Sequence, residues 1–201
     1  MSTVNAALIA GPRIYLAGPD VFHPNARAIF ARLKAHCERL GLRALVPIDA
    51  EHDPVDPLAS REAAAQRIYE SNIALLRQAD GVAANLQPFR GLEPDSGTVF
   101  EVGFAAAMGL PVVAYGVPKA TYGARVCAAL GCARDASGAA RDGASGMVVE
   151  EFDQRLNLML ARSMVIVESA EAALQLLANS CLARRASISA GDAAQPTAKD
   201  T

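Results

Sequence analysis

Short apolar runs of strand length alternate along this chain with segments of helical period, and no other feature restricts its fold as much. Residues 13–17 (RIYLA) form such a run and end in Gly18-Pro19-Asp20, a buried strand delivering a loop. From Asn25 to Leu40 the apolar positions Ile29, Phe30, Leu33, Cys37 and Leu40 fall on one helical face. A second strand follows over 42–47 (LRALVP), then an acidic, Pro-containing loop from Ile48 to Leu58. Glu62 to Arg77 returns to helical period, with Ala65, Ile68, Ile73 and Leu76 turned inward, and a third strand covers 82–86 (VAANL). After the loop QPFRGLEPDSG come another helix and the strand LPVVAYG. Strand and helix at this spacing predict right-handed crossovers, hence an α/β fold with a single doubly wound parallel sheet and helices on both faces, flavodoxin-like.

In such a sheet the ligand crevice lies outside the carboxyl ends of the strands, which brings Gly18-Pro19-Asp20 and residues 88–97 (PFRGLEPDSG) face to face. Residues 134–146 are rich in Ala, Asp, Ser and Gly without a period and read as a mobile loop. A last helix spans Glu168 to Leu182, with Ser169 as its cap. The chain beyond Arg185 is small and polar, so 1–182 reads as the domain and 183–201 as a disordered tail.

With 201 residues, 52% of them hydrophobic, and a formal charge of -2, one core-burying domain is expected and nucleic acid is not an expected partner. The apolar runs stop well short of the ~20 residues of a bilayer span, and the N-terminus lacks a basic region followed by an apolar core. A soluble, cytoplasmic protein that does not engage membranes is expected. Cys37, Cys127, Cys132 and Cys181 form no CxxC pair and have no His at metal-ligand spacing, which argues against a disulfide framework or a metal site. They read as free thiols, with Cys127 and Cys132 the one pair close enough in sequence to stay open.

From Thr98 to Gly116 the chain reads TVFEVGFAAAMGLPVVAYG, nineteen residues in which Glu101 is the only charge. A carboxylate in a segment otherwise fit for burial must have a partner, meet solvent or do chemistry. Thr98-Val-Phe-Glu101 also fits a capping box, with Glu101 bonding back to the helix start. The apolar surroundings favour a buried helix with its N-terminus at the crevice, where the dipole would stabilise the ionised carboxylate. Asp95, six residues upstream in PDSG, is either a turn or cap residue or a second carboxyl at the same junction. Two carboxyls in different environments are the minimum equipment for cleaving a glycosidic bond. Pro88-Phe89 can present an aromatic wall beside them.

Four ordered blocks, IYLAGPDVF, YESNIALLRQADGV, ANLQPFRGLEPDSGTVFEVGFAAAMGLPVVAY and LNLML, resemble the nucleoside 2-deoxyribosyltransferase family. That family's signature sets an Asp six residues before a Glu in a Glu-hydrophobic-Gly-aromatic-Ala context. The resemblance implies that Glu101 is the nucleophile, attacking C1′ of deoxyribose and holding a covalent glycosyl-enzyme intermediate. It implies that Asp95 bonds the nucleobase and helps protonate it as it leaves, that Tyr15 lies near the nucleophile, and that Phe22 lines the base pocket. Gly18 belongs to the same loop as Phe22, and Pro88, Phe89 and Gly97 belong to the facing loop. Asn157 and Met159 match residues that a neighbouring subunit brings to the sugar's 5′ side, so a homo-oligomer of at least two chains is implied. Where some members carry a base-contacting Asp, this chain has Asn72, whose amide both donates and accepts.

The implied reaction moves deoxyribose from a deoxynucleoside to a free nucleobase, with no metal or organic cofactor. Hydrolysis of deoxynucleosides or their 5′-monophosphates is the neighbouring alternative, and a noncatalytic nucleotide-binding module the more distant one. The first loop, AGPDVFHP, offers Asp20 and no Ser or Arg, which argues against a phosphate there.

Overall fold

Strands β1 (Arg13–Ala17) and β3 (Gly81–Asn85) are almost wholly buried, as parallel strands covered on both faces must be. They belong to a computed structural model that describes residues 11–47 and 60–192, with side chains to residue 183. Five parallel strands lie in the order β2 (Arg43–Leu45), β1, β3, β4 (Val112–Tyr115) and β7 (Val165–Ile166). The direction of winding reverses between β1 and β3, which pair with Tyr15 opposite Val82.

The two faces follow from the period of two along each strand. Ile14, Leu16, Ala83 and Val113 pack on α1 (Ala26–Arg39) and α6 (Ala170–Asp192). Tyr15, Ala17, Val82, Ala84, Val112 and Ala114 pack on α2 (Arg61–Gln78), α3 (Ser96–Ala107) and α5 (Leu158–Ser163). The sheet is therefore doubly wound, as expected, and Tyr15 shares its face with the helix that carries Glu101.

On α2, Ile73 and Leu76 are buried, whereas Ala65 and Ile68, expected inward, are exposed. At about 1.5 Å per helical residue the helix is far longer than the five-residue strands it covers, so its first turns overhang the sheet. The outer face of α3 is likewise open rather than enclosed, with Phe100, Gly103 and Met108 exposed. Helix α6 continues to Asp192, through residues whose small-polar composition reads as a tail. The run ARRASISA contains good helix formers, and an existing helix extends more readily than a new one nucleates. The expected loop from Ile48 to Leu58 and the remainder of the tail lie outside the described residues.

Residues 134–146 are not a mobile loop. Helix α4 (Tyr122–Leu130) leads into an antiparallel hairpin of β5 (Cys132–Arg134) and β6 (Ala140–Asp142). Asp135 accepts from Ser137 N at 2.8 Å and from Arg141 Nε at 2.7 Å, and Asp142 accepts from Ser145 N at 2.6 Å. Those aspartates are turn chemistry rather than linker composition. Cys127 and Cys132 are disulfide-bonded, with Cα atoms 4.9 Å apart, so the reading of four free thiols holds for Cys37 and Cys181 alone. Among the described residues no helix is long and apolar enough to cross a membrane.

Candidate active site

Asn85 closes β3 at the point where the winding reverses, and it ties the two facing loops together. Its Nδ2 donates to Asp20 Oδ2 at 2.9 Å, in the turn Pro19–Phe22 that follows β1, while its Oδ1 accepts from Gln87 N at 3.3 Å. Two glycines leave room for this 6%-exposed amide. A Cβ on Gly18 would stand 2.8 Å from Asn85 Cβ, and one on Gly116 would run into Asn85 Oδ1. The two loops face each other as expected, and Asp20 is already engaged by an amide.

Above this pin the rings of Phe22 and Phe89 stack with centroids 5.4 Å apart. The Arg90 guanidinium lies 4.6 Å from the Phe89 centroid and 5.6 Å from that of Phe22, within cation–π range. Arg90 holds φ at 55°, an uncommon value for a residue with a Cβ. Pro88 is exposed beside Phe89.

On the sheet face covered by α3, Tyr15 Oη donates to Glu101 Oε1 at 2.6 Å. Tyr15 is fully buried on β1, and Glu101 is half-buried on α3 beside the buried Val102. Burial pushes the Glu101 carboxyl up, the Tyr15 hydrogen bond draws it down, and the nearby Asp95 charge pushes it up again, leaving it at about 7. Burial, then the adjacent Glu101, holds the Tyr15 phenol well above its ordinary range.

The capping box is not formed. Helix α3 begins at Ser96, and Asp95 is its cap, with Oδ2 accepting from Thr98 N and Thr98 Oγ1, each at 2.9 Å. Glu101 therefore sits in the second turn, beyond the unpaired amides, and its carboxyl moves up rather than down. Gly97 keeps space beside the cap, since a Cβ there would lie 3.1 Å from Asp95 Oδ2.

Of the remaining expected residues, Asn72 is half-buried on α2, next to Ile73. Asn157 caps α5, its Oδ1 accepting from Leu160 N at 3.0 Å, and Met159, two residues on, is 80% exposed. Sequence reasoning missed Asn85 and Arg90. An amide in the otherwise apolar VAANL was the available signal for the first, whereas nothing local marked the arginine.

Residues 14–159 match the family model described as nucleoside 2-deoxyribosyltransferase. A 2-deoxyribosyltransferase from Leishmania mexicana is similar in structure, with a TM-score of 0.63 at 31% identity, over 84% of this chain and 97% of that one. A 2-deoxyribosyltransferase from Bacillus psychrosaccharolyticus shares the fold, with a TM-score of 0.50 at 17% identity over 80% and 88% of the two chains. An uncharacterised protein of Schizosaccharomyces pombe is 34% identical over 116 residues, 57% of this chain. That match spans about half of the relative's own length, 54%.

Proposed function

The chain belongs to the nucleoside 2-deoxyribosyltransferase family, and from that premise we propose that it transfers 2-deoxyribose between nucleobases through a covalent intermediate on Glu101. The observation that carries this reading is the 2.6 Å hydrogen bond from a fully buried tyrosine to a half-buried carboxylate at the sheet's switch point. A carboxyl near 7 is populated as the carboxylate at neutral pH, and its desolvation makes it a stronger nucleophile than one in water.

In the first half-reaction a Glu101 oxygen bonds C1′ as the C1′–N bond breaks. The base leaves with the bonding pair, and Asp95 bonds it and aids its protonation. In the second, a nitrogen of the acceptor base bonds C1′ as it gives up its proton to Asp95, the ester breaks, and Glu101 regains its electron pair. Tyr15 orients the carboxylate throughout. Phe22 and Phe89, with Pro88 and the Gly18 and Gly97 backbones, wall the base, and Asn72 faces its edge with both donor and acceptor capacity.

The partners are a deoxynucleoside, a free base and a second copy of the chain. Exposed Ile68, Tyr69, Phe100, Met108 and Met159 support that copy, because these apolar side chains of α2, α3 and α5 lack cover within the chain. Asn157 and Met159 would then serve the sugar's 5′ side across the interface.

The deciding experiment incubates a deoxynucleoside with and without a second free base. Appearance of the exchanged nucleoside, together with a deoxyribosyl mass adduct on Glu101, supports transfer. Free deoxyribose unaffected by added base replaces it with hydrolysis, and saturable binding without turnover or adduct reduces the protein to a binding module.

A further inference from the structure

Two segments of the crevice rim are joined through a single guanidinium. Arg125 on α4 donates from Nη1 to the Leu92 carbonyl at 2.6 Å and from Nη2 to the Arg155 carbonyl at 3.0 Å. Leu92 lies in the middle of the loop that carries Phe89 and Asp95, and Arg155 lies two residues before Asn157. Phe89 N donates to the Glu93 carbonyl at 2.9 Å, so the loop closes on itself around Leu92. Movement of Leu92 therefore carries Phe89 with it.

The ends of this loop are fixed elsewhere, by Asn85 at β3 and by the Asp95 cap at α3. Its middle depends on α4. Leu92 packs against the small cluster of Val126, Ala140 and Val149, and Tyr122 packs against the same cluster. The Arg125 guanidinium lies 5.8 Å from the Tyr122 ring centroid. On the other side, Arg155 donates to the carbonyls of Pro118, at 2.9 Å, and Val117, so the segment before Asn157 is fastened to the loop after β4. The contacts thus run unbroken from the base wall to the Asn157 segment, with Arg125 in the middle.

Arg125 Nε, moreover, is buried without a hydrogen-bond partner among the described residues. An unsatisfied buried donor costs stability, and such a group in a native structure calls for a reason. A planar fork aimed at two backbone carbonyls supplies one, because it fixes their separation in a way that the single point charge of a lysine cannot. Resting on the deoxyribosyl-transfer reading, we propose that Arg125 is a positioning residue that sets the distance between the base wall and the Asn157 segment. It thereby sets the affinity for the nucleobase without touching it.

The test compares wild type, Arg125→Lys, Arg125→Ala and, as a control, Arg134→Ala, whose arginine bonds Gly138 in the hairpin turn and Glu151 beyond the hairpin. Dissociation constants for hypoxanthine and thymine come from equilibrium dialysis, alongside base-exchange kinetics and Tm. Both Arg125 variants should bind base, and show a KM for it, about tenfold more weakly, with kcat within about threefold of wild type. Millimolar methylguanidinium should restore the affinity of Arg125→Ala, and the control should match wild type. Unchanged base affinity in folded Arg125→Lys overturns the inference, as does a fall in kcat with KM intact or an equal loss in the control. A wild type that binds base but exchanges none overturns the proposed function alone, and the affinity ratio still decides Arg125. A wild type that binds no base overturns both.

Discussion

Tyr15 and Glu101 are held by regular structure, whereas the loop from Pro88 to Asp95 is held by side chains that reach for backbone. Tyr15 stands on a central strand and Glu101 on a helix packed over it, so their 2.6 Å contact follows from the core itself. The loop owes its position to Asn85, Arg125 and one cap, each a contact that a single substitution removes. The difference predicts two kinds of failure. Damage to the first region should abolish chemistry in a protein that still folds, and damage to the second should loosen binding while the chemistry survives.

Glu101→Gln is the largest test of this contrast. Loss of a covalent nucleophile should lower kcat for base exchange by about a thousandfold or more, with no adduct by mass spectrometry. Activity within about tenfold of wild type would sink the covalent route. The same variant carries a stability signature whose sign follows from the raised carboxyl. The folded state holds the Glu101 proton up to about pH 7 while the unfolded chain releases it near its ordinary value of 4.5. The stabilising contribution is thus full below 4.5 and lost as pH rises through 7. Glu101→Gln should raise Tm at pH 8 and change it little at pH 4. A lower Tm at pH 8 would mean that the Tyr15 bond outweighs the desolvation of the charge.

Tyr15→Phe should come next, lowering kcat by about ten- to a hundredfold, since a misoriented carboxylate still attacks. Its hydroxyl donates to the charged form and so draws the Glu101 carboxyl down. Without it the acid limb of kcat/KM, expected near pH 7, should move to higher pH. An unmoved limb would detach that limb from Glu101.

Asp95→Asn separates the two tasks of one residue. Asparagine caps helices about as well as aspartate, so Tm should hold, whereas Asp95→Ala should lose roughly 1 kcal/mol of stability. Exchange should nevertheless fall by about tenfold in Asp95→Asn, unequally across bases, because the charge proposed to bond the base is gone. Equal losses for all bases, tracking Tm, would leave Asp95 a cap and nothing more.

The same contrast explains what the sequence discloses. Runs such as RIYLA and VAANL declare buried parallel strands because both faces must be apolar, and the doubly wound sheet and the meeting of the two loops follow from that. Glu101 is conspicuous because a charge in an apolar helix has few bland explanations. Its partner is another matter. The capping box is a local pattern, and it lost to a tertiary contact with Tyr15, 86 residues away in sequence, once Asp95 had taken the cap. Arg125 and Arg90 look like solvated charges until the fold places carbonyls and rings beside them. Ala65 and Ile68 keep perfect helical period on a helix that outruns its sheet.

The smallest effect probes how far the loop's support extends. Cys127 ends the stretch of α4 that begins with Tyr122 and Arg125, and its disulfide to Cys132 joins that helix to the hairpin. Only a short loop is closed by this bond, so Cys132→Ser should cost about 2 kcal/mol at most, a Tm drop of a few degrees. Arg125 is oriented by its own helix and by Tyr122, not by the hairpin, so base affinity in the variant should stay within about twofold of wild type. A larger loss of affinity would show that the hairpin, through the Val126, Ala140 and Val149 cluster against Leu92, holds the base wall as firmly as the arginine does.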